Sequence, residues 1–160
     1  MLTYLALKFL HIIGASVLLG TGAGIAFFML LAHRTGEPRV IAAVARIVVI
    51  ADFVFTTTAV ALQPVTGLLL AHVVDYDLRS GWIVLSIVLY LVTGAFWLPV
   101  VWMQAKMRRL ADEAVRTGEP LPKLYFTLFR TWFWFGFPAF AAVVGIFWLM
   151  IARPDFRLLP

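Results

Sequence analysis

Four apolar stretches dominate the chain: about Leu2 to Ala32, Ile41 to Val74, Gly81 to Met107 and Tyr125 to Ala152. Each exceeds the ~20 residues an α-helix needs to cross a hydrocarbon core of ~30 Å. Water is absent there, so every peptide group must be paired within the protein, and helices achieve that within one segment. The expected fold is all-α: an integral membrane, antiparallel four-helix bundle, with residues 1–160 forming a single transmembrane domain. The first stretch is too long for a signal-peptide core of ~7–15 residues and lacks a charged leader, so it is expected to be a retained span.

Composition supports this class and removes others. Of 160 residues, 63% are hydrophobic and 13% charged, where soluble domains are about half apolar and about a quarter charged. No cysteine is present, which excludes disulfides, thiolate metal sites and cysteine nucleophiles. A net charge of +5 would suit nucleic acid, yet the cations sit in loops beside apolar spans. They read as topogenic charge facing anionic lipid, and no nucleic-acid partner is expected.

The polar residues inside the spans carry the functional information. Lys8 lies near the start of span one and can snorkel to the interface. His11 lies about one turn deeper, followed by Gly14, Ala15, Gly20, Gly22 and Gly24. Gly20 and Gly24 form a small-xxx-small pair, which lets a helix or flat ligand approach. Span two carries Arg46 in its first turns, then Asp52 among Ile50, Ala51 and Phe53. A carboxylate at that depth needs a partner or a proton. Further on, Gln63-Pro64-Val65-Thr66-Gly67 should kink the helix, and the carbonyl freed by Pro64 must face protein or a cavity. His72 closes the span. Arg130 interrupts the aromatic start of span four, which reads as an interfacial belt plus packing. His33, in the first polar loop, is expected in solvent at the interface.

Loop cations set the expected orientation. Arg34, Arg39, Lys106, Arg108, Arg109, Arg116 and Lys123 flank loops one and three, seven cations against Arg79, Arg153 and Arg157 on the other side. The positive-inside rule then places loops 33–40 and 108–124 in the cytoplasm and both termini outside, in a bacterial cytoplasmic (inner) membrane. Depth sorts the polar residues into an outer set (His11, His72 and Gln63) and an inner set (Asp52 with Arg130 or Arg46).

Several motifs carry a resemblance. They are Leu7-Lys8-Phe9-Leu10-His11-Ile12-Ile13-Gly14-Ala15, Gln63-Pro64-Val65-Thr66-Gly67, Gly94-Ala95-Phe96-Trp97-Leu98-Pro99-Val100-Val101 and Pro138-Ala139-Phe140. Their order resembles an uncharacterised bacterial family of four-span membrane proteins, domain of unknown function 2269. The Lys-x-x-His opening followed by small residues also resembles the first helix of HemJ-type protoporphyrinogen oxidases and of copper-resistance D proteins. The HemJ likeness implies haem b binding at His11; the rest of that pattern does not match.

Three function classes follow. The leading one is a b-type haem between the helices, with His11 as axial ligand, His72 as second ligand and Gly14 and Gln63 beside it. Such a protein would serve membrane redox or tetrapyrrole chemistry, with quinone or a tetrapyrrole as partner. The competing reading of His11 is a structural hydrogen bond to a neighbouring helix. Asp52 with Arg130 or Arg46 reads as a buried ion pair or a proton path. The second class is a small transporter or permease component, which four spans could form only as a homo-oligomer. The third is a non-catalytic membrane assembly partner.

Overall fold

The structure is a computed structural model that describes residues 1–156. Four long helices account for the chain: α1 (Leu2–Thr35), α2 (Pro38–Val73), α3 (Gly81–Thr117) and α4 (Lys123–Ala152), each long and apolar enough to cross a membrane. The connections between successive helices are short, so neighbours run antiparallel. Large apolar side chains such as Phe9, Phe53, Leu98 and Trp148 lie exposed along the outside, where lipid rather than water covers them.

The turns follow from local chemistry. Gly36 ends α1 with φ 66°, and its N–H bonds the His33 carbonyl. Glu37 caps α2 through the Arg39 N–H, with Pro38 at the first helical position. Gly118 ends α3 with φ 73°, a left-handed conformation that glycine adopts without a Cβ penalty.

The helices overrun the expected spans at one end. α3 has 37 residues, about 55 Å at ~1.5 Å per residue, so its last turns stand beyond a ~30 Å core. At this basic end Arg46 Nη2 bonds Asp112 Oδ1 at 3.0 Å, and Arg108 Nε lies 3.7 Å from Asp112 Oδ2. Arg46 is thus at the level of the polar extension of α3, not inside the apolar layer.

The core lies in this basic half. Met29, Ile41, Met107 and Tyr125 are its largest fully enclosed side chains, joined by Ala45, Val48, Ala111, Phe129 and Trp132. His33 is half-buried against this core instead of lying free in solvent: its ring stacks on Phe129 with centroids 3.6 Å apart. Toward the termini the packing divides. Residues 57–73 of α2 pack on α1, and α3 packs along α4, with little contact between these pairs. One bond across them has a clear origin. Pro64 has no N–H for the Val60 carbonyl, and Tyr90 of α3 donates its hydroxyl there at 2.8 Å.

α2 is not uniform. Residues Asp52–Thr56 form a π-helical turn, with the Thr57 N–H on the Asp52 carbonyl. Such a wide turn keeps positions four apart near one face, and both Asp52 and Thr56 are buried.

Candidate functional site

Two polar clusters lie inside the apolar layer. The first joins α1 to the C-terminal part of α2. Gln63 donates from Nε2 to the His11 carbonyl at 2.9 Å. Gly14, one turn on, leaves the space for it: a Cβ there would stand 2.4 Å from Gln63 Nε2. Gly67 does the same for the imidazole, since a Cβ there would meet His11 Cε1 at 3.2 Å. His11 Nδ1 lies 2.8 Å from Thr66 Oγ1.

The direction of that last bond fixes the imidazole. The Thr66 hydroxyl has one proton, and its shortest carbonyl acceptor is Leu62 at 2.8 Å. Assigned this way, Thr66 accepts from Nδ1–H, and the neutral ring carries its lone pair on Nε2. Among the described residues Nε2 has no hydrogen-bond partner, and it is not enclosed. The inner nitrogen is anchored and the other is open at membrane depth.

The second cluster lies at the π turn. Asp52 is 4% exposed. Its Oδ1 accepts from Trp97 Nε1 of α3 at 3.3 Å, and its Oδ2 is buried without a partner among the described residues. Thr56 Oγ1 is buried beside the same carboxyl, outside strict hydrogen-bond geometry. Neither Arg46 nor Arg130 forms an ion pair with Asp52: Arg46 is held by Asp112, and Arg130 is exposed on α4. The expected buried ion pair is therefore replaced by an indole–carboxyl contact. Trp97 of α3 is the partner.

The comparisons with known proteins give one match. The family described as "Predicted integral membrane protein (DUF2269)" matches residues 5–154. The chain belongs to that family. No curated protein and no solved structure matches it.

For this DUF2269 protein, the expected outer set divides. His11, Gln63 and Gly14 come together, but His72 does not join them. It stands six residues beyond Thr66, which turns it by about 240° around the helix at ~100° per residue, and it is exposed. A Cβ at Gly20 would meet nothing within 4 Å, and one at Gly24 only Phe28 of its own helix at 3.8 Å, so no other described helix uses that pair. Between α1 and α2 the close approaches are at Gly14 and Gly67 instead. Among the described residues no cluster of three or more His, Asp or Glu could hold a metal ion.

The fit to a b-type haem follows from these positions. A metal-bound imidazole commonly donates its other ring N–H to a nearby acceptor, which fixes tautomer and orientation. His11 has that arrangement through Thr66, with Nε2 open. The residues therefore fit one axial position; His72 does not supply a second. Thr66 is the participant that sequence reasoning missed. Its signal was present, because Thr66 follows Gln63 by three residues and therefore shares its helix face.

Proposed function

We propose that this protein is a haem-binding membrane redox component, with His11 Nε2 as its protein-supplied axial ligand. The observation that carries the reading is an imidazole anchored at Nδ1 by Thr66 while Nε2 is unbonded among the described residues and open. In this reading Thr66 positions the ring, Gly67 allows it to lie against α2, and Gln63 with Gly14 holds α1 in register. A bound haem would supply one-electron chemistry, with quinone or a tetrapyrrole as the exchange partner. The cation distribution supports a bacterial inner-membrane setting with the basic end in the cytoplasm and both termini outside.

The test is an absorption spectrum of detergent-purified protein, oxidised and dithionite-reduced, with His11→Ala and His72→Ala beside it. The reading expects a Soret band that is lost in His11→Ala and kept in His72→Ala. A wild type that stays colourless after haem addition contradicts it, and His11 is then a helix–helix clamp alone.

A further inference from the structure

We propose that Asp52 is an intramembrane proton-binding site, with its proton exchangeable and carried on Oδ2. The site stands apart from the haem reading and uses none of its residues.

The surroundings of the carboxyl decide its state. An ionised carboxylate in an apolar interior is costly unless it is paired and its lone pairs are occupied. Asp52 has one well-formed hydrogen bond, from Trp97 Nε1, and an enclosed second oxygen with no well-formed bond, the Thr56 hydroxyl being the polar group beside the carboxyl. No cation among the described residues offsets it. On its own helix Arg46 is taken by Asp112. From α1 come His11, bonded to Thr66, and His33, stacked on Phe129. α3 brings Lys106, Arg108 and Arg109, and α4 brings Arg130. None of these forms an ion pair or hydrogen bond with Asp52. A neutral carboxylic acid is the state this environment accepts: Oδ1 takes the indole N–H and Oδ2 carries the proton.

The π turn separates this from a merely tolerated acid. Turns of this kind occur mostly as single insertions inside α-helices, frequently at functional sites. Here it spans Asp52 to Thr56 and sets the buried Thr56 hydroxyl beside the Asp52 carboxyl, without a well-formed hydrogen bond between them. Asp52 and Thr56 therefore face one another with hydrogen-bonding capacity that no well-formed bond uses, in a place where each unmade bond is costly. A carboxyl that gains and loses a proton can use the Thr56 hydroxyl in both states, as acceptor from the acid and as donor to the carboxylate.

Infrared spectroscopy of the full chain in lipid, labelled at aspartate carbonyl carbons, tests this. The expected result is a protonated-carboxyl C=O band at neutral pH that shifts in D2O, falls as pH is raised and is absent from Asp52→Asn. A hydrophobic carbodiimide, which reacts with protonated carboxyls in apolar surroundings, should label Asp52 of the wild type; mass spectrometry reads this without any variant. Three results overturn the proposal. One is no protonated band and no adduct. Another is a band unmoved by D2O and by pH, which is a fixed structural acid. The third is a band abolished by sodium at constant pH, which is a metal-cation site.

Discussion

The two halves of this bundle are held together by different means. In the basic half, side chains from all four helices interlock around Met29, Met107 and Tyr125, and the helices extend far enough for Arg46 and Asp112 to bridge them. In the terminal half the helices part into two pairs, and single polar contacts take over: Gln63 to the His11 carbonyl, Thr66 to the His11 ring, Tyr90 to the Val60 carbonyl. Lipid covers apolar side chains as well as another helix would, so loosely packed apolar faces cost little there. Unpaired backbone groups are costly, and that decides where the polar residues go. His11 is in the loosely joined half, and Asp52 is near the junction.

Three comparisons of variants would break or sharpen that contrast. The largest effect belongs to the interlocked half. Met107→Ala should cost about 2–5 kcal/mol by emptying a fully enclosed volume, whereas Leu98→Ala on the exposed face should change stability by less than about 0.5 kcal/mol. Unfolding in mixed detergent reads both, and equal costs would erase the distinction between the halves. Next is Tyr90→Phe, which strands the Val60 carbonyl and should cost about 1–3 kcal/mol. Adding Pro64→Ala returns an N–H to that carbonyl and should recover most of the loss; no recovery would mean that Tyr90 acts by packing. The smallest effect is Gly14→Ala. Its methyl must push Gln63 off the His11 carbonyl, for about 0.5–1.5 kcal/mol. In a Gln63→Ala background the same Gly14→Ala change should lose that cost, which a double-mutant cycle reads directly.

Hydropathy made the four spans legible because a membrane leaves few other solutions for such stretches. Pro64 also announced a need, a carbonyl that had to face protein, but nothing local named Tyr90 as the donor. Arg46 reads as part of span two because nothing local reveals that the polar continuation of α3 brings Asp112 alongside it. His33 reads as an interfacial residue because it adjoins Arg34 and Gly36; its stacking partner, Phe129, lies on another helix. Asp52 was visible as an anomaly, but its partner was not, since Trp97 lies on another span and nothing local ties the two together. The π turn has no hydropathy signature at all. What stays hidden is what tertiary contact decides: which helix faces which, and at what depth.

One nitrogen, His11 Nε2, matters more to the proposed function than any other atom. Solid-state nitrogen-15 NMR of histidine-labelled protein in lipid, assigned with His11→Ala, reads the protonation of both ring nitrogens. The expected spectrum is that of a neutral ring with Nδ1 protonated and Nε2 bare, changing to the other tautomer in Thr66→Val. An Nε2–H tautomer or an imidazolium in the wild type would contradict it, because His11 would then have no lone pair to offer a ligand.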